Sequence, residues 1–357
     1  MTIYVLNQSF EVEGVIDEYA SIIWTTRYYT SGDFELYVGA KKELLDVLKV
    51  GNYLVRDKDI VSDGNYKNVM IISNREIKTD AENGDFFVIT GHCLKSIFNR
   101  RVVINQTNLS GSVADGLAEL VDENIINPSA SARAISNFEH GTDALVDDTP
   151  TFTMQITGKR LDETFAEICQ TYGYGYDVKI QNNKYVWYLY EGLDRSYSQD
   201  VNAYVVFSQD FDNLITCDYV ENRDNYANVA VVAGEGEGTA RKKETVGTAT
   251  GLDRIEVWVD ARNASSNNGQ ISDNEYRAML QQDGKDALKE YGVTTSFEGE
   301  VNFLVTYELG VDYNLGDIVQ IENDYGLKAR ARIIEIIESE DENGIKLVPT
   351  FSEMEVN

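Results

Sequence analysis

The chain has 357 residues, with 60 Asp and Glu against 31 Lys and Arg, a formal net charge of −29. That length exceeds one ordinary core, so two to four domains are expected. The acid excess argues against a nucleic-acid-binding groove, which needs clustered Lys and Arg. The three widely spaced cysteines, Cys93, Cys169 and Cys217, offer neither a disulfide framework nor a zinc motif.

Abundant tyrosine and frequent Val/Ile/Thr runs tilt the reading toward sheet. Residues 1–10 lack a basic start followed by an apolar core, so no signal peptide is expected, and no apolar run is long enough for a membrane segment. The protein is expected to be made in a cytoplasm and to reach any later location by assembly. Residues 10–19 alternate around Phe10, Val12 and Ile16 and predict a strand, with further strands over 22–29 and 34–38. Leu44, Leu45 and Leu48 at helical spacing predict a short helix within 41–49, stopped by Gly51. Residues 69–77 and 86–90 predict a hairpin turning through Asp80-Ala81-Glu82-Asn83-Gly84-Asp85, since Asn-Gly is the strongest short hairpin signal.

After Arg101 the composition changes. Val113, Leu117, Leu120 and Val121 mark a helix over 112–124, with Ser112 and Asp115 in a capping-box pattern. Residues 127–150 read as a long polar loop. Leu161, Phe165, Ile168 and Tyr172 mark a second amphipathic helix closed by Gly173, followed by strands over 176–180 and 185–190. The β pattern returns from Asn213, with a buried strand over 228–233 and an alternating one around Ile255, Val257 and Val259. A polar loop over 263–270 then leads into a helix over 272–291, with Ser272 and Glu275 as a capping box and Gly292 as the stop. Residues 294–353 read as strands and tight turns.

The two ends of the chain echo each other. Gly51-Asn52-Tyr53-Leu54-Val55 leads, one strand later, to Asn83-Gly84 and Phe86-Phe87-Val88; Gly316-Asp317-Ile318-Val319 leads, one strand later, to Asn343-Gly344 and Lys346-Leu347-Val348. This order predicts a mainly β protein with α+β parts, in which two related β-barrel-like domains bracket the rest. The expected division is 1–105, a first β-barrel-like domain; 106–207, an α/β middle domain; 208–262 with 294–357, a second β-barrel-like domain; and 263–293, a helical insertion.

Residues able to do chemistry are few. His92 and Cys93 are adjacent on a predicted strand and so point to opposite faces, which prevents a direct nucleophile–base pair. His140 sits in the polar loop beside Glu139. Val229 to Ala233 followed by Gly234-Glu235-Gly236-Glu237-Gly238 superficially matches a dinucleotide loop, but its glutamates would repel a pyrophosphate and no amphipathic helix follows; a flexible connection is expected. Acidic turns at 80–85 and 340–342 lack EF-hand spacing. No catalytic residue, cofactor or metal ligand is assigned. The reading from another class is a peptidoglycan hydrolase using Asp or Glu residues of the middle domain.

Four stretches, in order, resemble the siphophage tail-tip or baseplate hub family, the N-terminal structural part of tail-associated lysins. They are Ile23-Trp24-Thr25-Thr26-Arg27-Tyr28 with Gly32-Asp33-Phe34-Glu35-Leu36; Gly91-His92-Cys93-Leu94 running to Asn99-Arg100-Arg101-Val102; Asp212-Asn213-Leu214 with Asn228-Val229-Ala230-Val231 and Gly234; and Tyr313-Asn314-Leu315-Gly316-Asp317-Ile318-Val319. The resemblance implies the fold of the contractile-phage baseplate hub, in which two related barrel domains per subunit let a homotrimer present a pseudo-six-fold ring. It implies a non-enzymatic structural protein of the virion tail, assembled in the host bacterial cytoplasm. Its partners would be copies of itself, a tube-end (distal tail) protein, a spike, fibre or receptor-binding protein, and a tape-measure protein, and DNA would pass without specific binding.

The motif residues also make sense as structure. Trp24 and Tyr28, four apart on a strand, are expected to share a face and anchor a barrel interior, with Arg27 opposite and paired to an acid. Gly32 and Asp33 are expected to turn the chain, and Phe34 and Leu36 to share the next inward face. Many relatives carry a C-terminal hydrolase domain. Here the chain stops at Asn357 after the last strand, so wall digestion is expected to belong to another protein.

Overall fold

The computed structural model describes residues 1–62, 64–80, 84–141, 149–298, 300–302, 306–326 and 328–356. Its first part contains β1 (Ile3–Leu6), β2 (Val12–Ile16), β3 (Ser21–Arg27), β4 (Asp33–Gly39), α1 (Lys42–Val47), β5 (Tyr53–Arg56), β6 (Ile60–Ser62), β7 (Asn65–Tyr66), β8 (Met70–Asp80) and β9 (Gly84–Cys93). A middle part follows, with β10 (Thr107–Ser112), α2 (Val113–Val121), β11 (Phe138–His140), β12 (Thr151–Ile156), α3 (Leu161–Tyr172), β13 (Gly175–Gln181) and β14 (Lys184–Tyr190). The last part holds β15 (Val206–Ser208), β16 (Asp218–Asn222), β17 (Val229–Ala233), β18 (Lys243–Val246), β19 (Glu256–Asp260), α4 (Asp273–Glu290), β20 (Thr294–Glu298), β21 (Ile318–Glu322), β22 (Lys328–Asp341) and β23 (Gly344–Val356). The fold is mainly β with several sheets, as the sequence reading expects.

Helix ends follow local chemistry. The Ser112 hydroxyl accepts the Asp115 N–H at the start of α2, a complete Ser272–Glu275 capping box opens α4, and left-handed Gly173 closes α3. Phe10 departs from expectation. It has a φ of +65° and lies outside β2, where Asn7 stitches a turn by accepting the N–H groups of Ser9 and Glu11. Turn chemistry overrides the apolar alternation there. The 81–83 turn of the first hairpin and residues 142–148 of the polar loop lie outside the described residues.

First and last parts join in one sheet, ordered β16-β20-β23-β22-β3-β4-β9-β8-β5-β1-β2, with β21 on β22 and β15 on β21. Within it the same five-strand, all-antiparallel arrangement occurs twice: β3-β4-β9-β8-β5 and β16-β20-β23-β22-β21 have the same chain order and the same spatial order. The correspondence reaches single hydrogen bonds. Gly51 and Gly316, at φ +93° and +96°, donate their N–H groups to Ile72 and Ile333 at 2.8 Å; Ile72 and Ile333 in turn donate to Asn52 and Asp317 at 2.9 Å. A one-residue bulge falls between Ile72 and Asn74 in one unit and between Ile333 and Glu335 in the other. The hairpins close at Asp80 opposite Gly84 and at Asp341 opposite Gly344.

The two units are joined edge to edge by antiparallel pairing of β22 with β3, from Glu335 opposite Arg27 to Glu340 opposite Ile22. One core packs Trp24, Phe34, Leu36 and Ile89 in the first unit; another packs Phe207, Tyr313, Ile333 and Phe351 in the second. Burying such side chains contributes about 1.5–3 kcal/mol each.

The strands from 229 to 260, expected inside the second barrel-like domain, instead form their own three-stranded sheet, β18-β17-β19. They pack through Ala230 and Val232 on Tyr276 and Leu280 of α4. Strand and helix are therefore one insertion, because the α4 apolar face needs that sheet to cover it. The middle part also differs in extent. Its sheet, β11-β14-β13-β7-β6, takes two short strands from before residue 67, and β11 joins it in parallel from within the predicted polar loop.

Candidate functional site

The motif residues near the start and end of the chain converge on one junction. Tyr28 lies just beyond β3, fully buried, where the first, middle and last parts meet. Its ring packs edge-on to Tyr190 with centroids 5.2 Å apart, and the Arg332 guanidinium stands 5.3 Å above it. Its hydroxyl lies 3.1 Å from the Gly173 carbonyl and accepts the Gly192 N–H at 3.3 Å. A β-carbon at Gly175 or Gly316 would overlap this ring. Burial pushes the phenol up to about 12, so it stays a neutral donor. The expectation that Trp24 and Tyr28 share a barrel interior is not met. Trp24 enters the first core, while the chain leaves the strand at Arg27 and Tyr28 turns to the middle part.

Around that junction the other motif residues act as ties. Arg27 bonds Glu335 and Asp33 at 2.5 Å each, bracing the β3–β22 seam from the face opposite Trp24. Gly32 donates its N–H to the Cys93 sulfur at 3.2 Å and accepts the Cys93 N–H at 2.9 Å, which joins the first two stretches; Phe34 pairs with Gly91. Asp317 is buried and accepts from Leu193 N–H at 2.7 Å, Arg195 Nε at 2.7 Å and Asn314 N–H at 3.0 Å, which fixes the strap leaving the middle part. Leu315 packs on the second core, and Leu36 on the first.

The remaining motif residues lie elsewhere. Arg100 is exposed, and Arg101 donates to the Arg133 carbonyl at 2.9 Å beside the middle part. Asn228 holds the start of β17 by donating to the Asp253 carbonyl at 2.7 Å and accepting from Ile255 N–H at 2.9 Å. Gly234 was expected in a flexible connection. It is instead tied down, accepting from Arg241 Nε at 2.9 Å, and the next residue's N–H donates to the Tyr276 hydroxyl at 2.7 Å.

Sequence reading missed the strongest electrostatic feature of the junction. Arg56, Asp59 and Glu338, all buried, form a chain in which Arg56 bonds Asp59 at 2.5 Å and Glu338 at 2.7 Å; Lys58 also pairs with Glu338. Arg56 stands 4.6 Å over the Trp24 ring. Burial alone would raise the Glu338 carboxyl, but Arg56 and Lys58 outweigh it and hold the group below its ordinary value. These residues border a recess of about 610 Å³ between the three parts. An arginine ending the apolar run Tyr53-Leu54-Val55 was the available signal; its partner 282 residues later had none.

The candidate nucleophile–base pair does not come together. His92 is exposed while Cys93 is buried, and burial raises the thiol's pKa. His140 accepts the Trp187 indole N–H on Nδ1 at 2.9 Å and lies 3.0 Å from Asp122 through Nε2, so its tautomer is fixed by structure. Among the described residues no group of His, Cys, Asp and Glu is arranged to hold a metal, and no helix is long and apolar enough to cross a membrane. A cleft of about 510 Å³ separates α3 from α4 and is lined by Glu163, Glu167, Asp283, Asp286 and Glu290. Burial, then Asp286 and Glu167, push the Asp283 carboxyl up to about 7.

The fold as a whole is similar to that of solved phage tail proteins. A tail protein from Neisseria meningitidis MC58 is similar over 99% of this chain and 96% of its own, with a TM-score of 0.61 and 16% identity. The 43 kDa tail protein of prophage MuSo2 from Shewanella oneidensis is similar over 98% of both chains, with a TM-score of 0.59 and 14% identity. Prophage tail protein gp18 from Listeria monocytogenes EGD-e has a TM-score of 0.54 and 12% identity over 99% of this chain and 94% of its own. No curated protein matches the chain. The model of one siphovirus tail protein family, the Siphovirus ReqiPepy6 Gp37-like proteins, matches residues 2–351, and the chain belongs to that family.

Proposed function

We propose that the chain is the hub subunit of a phage tail tip. Three copies would form a ring that closes the distal end of the tail tube. The observation that carries this reading is the doubled five-strand unit joined edge to edge through β22 and β3. Two like units per chain let three chains offer six equivalent contacts to a tube-end protein, while the trimer offers three to a spike, fibre or receptor-binding protein. In this reading the two units are the β-barrel-like domains of the two chain ends. The insertion of β17–β19 and α4 would project outside the ring, since a helix in the lumen would narrow the channel.

The net charge of −29 suits a lumen that DNA, and before it a tape-measure protein, traverses: like charges repel and no phosphate contacts form. The role is mechanical, and purified protein is expected to leave peptidoglycan intact in a zymogram. Native mass measurement with negative-stain imaging tests the reading. A three-chain ring with an open centre supports it; a monomer at all concentrations, or a ring of six whole chains, overturns it.

A further inference from the structure

The seam inside the chain is a template for a seam between chains. The far half of β22 pairs with β3, but among the described residues the corresponding half of β8 pairs only with β9, and β16, the counterpart of β3, ends the sheet. Residues 73–79 of β8 are exposed, and so are Asp218, Val220, Glu221 and Asn222 of β16. Ile77 and Val220 are 52% and 51% exposed. Exposed strand edges are sites where another chain adds by backbone pairing.

We propose that β8 of each copy pairs antiparallel with β16 of the next, in the register of the β22–β3 seam. The register follows from the repeat. The row Ile72–Gly91–Phe34–Trp24 corresponds to Ile333–Phe351–Phe297–Tyr219. Glu338 opposite Trp24 therefore becomes Ile77 opposite Tyr219 of the next copy. The same shift sets Asn74 opposite Asn222, Arg75 opposite Glu221, Glu76 opposite Val220 and Lys78 opposite Asp218. Nothing in the template required complementary side chains, yet it matches both basic residues of this segment with acids and sets its isoleucine against a tyrosine. Opposite charges directly across an antiparallel pair stabilise it. Two such matches in five positions favour a second copy of the chain as the partner. The occupant of this edge is a second copy of the chain. The inference rests on the ring reading and specifies how the ring closes.

The template also selects the cross-link. Tyr28 donates its N–H to the Ile334 carbonyl, which makes 28 and 334 a hydrogen-bonded pair. By alternation Ile337 and Thr25, and hence Glu76 and Val220, form a non-hydrogen-bonded pair, where side chains lie closer. In a Cys217→Ser background of the full chain, Glu76→Cys with Val220→Cys should oxidise to disulfide-linked dimers and trimers on non-reducing gels. Within one chain these strands are seven strand spacings apart in the sheet, so the link is between chains. Glu76→Cys with Asp218→Cys, two residues out of register, should link far less.

Charge reversal provides a second readout that needs no disulfide. Lys78→Asp alone, or Asp218→Lys alone, should weaken assembly about two- to five-fold, and the double reversal should restore it. A trimer in which the out-of-register pair links as well as Glu76–Val220, or in which the double reversal fails to restore assembly, overturns this pairing and leaves the ring reading standing. A chain that never assembles overturns both.

Discussion

Tyr28 and Gly316, 288 positions apart, occupy one space: the tyrosine ring edge fills the volume where a β-carbon on Gly316 would stand. Gly316 is also left-handed, at φ +96°. Gly316→Ala therefore meets both a strained backbone and a blocked position, and it should cost about 2–4 kcal/mol in denaturant unfolding. Tyr28→Phe, which removes only the hydroxyl, should cost about 1–2 kcal/mol. A loss within about 0.5 kcal/mol for Gly316→Ala, the range of an ordinary surface substitution, would show that the junction does not hold the three parts together.

Glu338 should govern acid stability. Its folded-state value is depressed, so its contribution is present above the ordinary glutamate value and is lost as pH falls through the folded one. Glu338→Gln leaves Arg56 short of a partner and should cost about 3 kcal/mol at pH 7. The gap between variant and parent should narrow below about pH 4. A gap independent of pH would place the effect in packing rather than charge.

Asp283 has the opposite sign. Its carboxyl is raised to about 7, so the folded protein binds a proton that the unfolded chain releases near pH 4, and stability falls as pH rises between them. Asp283→Asn should raise the unfolding free energy by about 1–3 kcal/mol at pH 8 and leave it nearly unchanged at pH 4. Equal effects at both values would mean that repulsion from Glu167 and Asp286 does not reach this side chain.

DNA should be ignored. In a gel shift at about 0.15 M salt, micromolar protein should leave duplex and single strands unshifted, where ordinary non-specific binders already associate. A salt-sensitive shift would reveal a basic track, and Arg100, Arg101 and Arg133, gathered beside the middle part, would be the place to look.

Local chemistry was legible in the sequence and distant pairing was not. Ser272–Glu275, Gly173 and the Asn343-Gly344 turn announce themselves within a few residues, and the structure has each where the pattern places it. The echo at Gly51 and Gly316 was readable because a left-handed glycine opens the same three-strand arrangement twice. The β3–β22 seam left no trace, since strand pairing across some 310 residues is written in backbone groups that every residue carries. The same reason hid the true company of 229–260, whose partner surface on α4 follows later in the chain. At the junction, Arg27 was read with an acid opposite, but which acid depends on that seam. Tyr28 was misplaced because the predicted strand, 22–29, ran past the end of β3 at Arg27.

Cryo-electron microscopy of the intact tail of the phage that encodes this chain would place the protein and count its copies. A tail-tip hub requires three copies at the distal end of the tube, their doubled sheets forming one closed wall around an open lumen, with the α4 insertion on the outside. Density for the chain along the shaft, six whole copies in the ring, or α4 facing the lumen would contradict it.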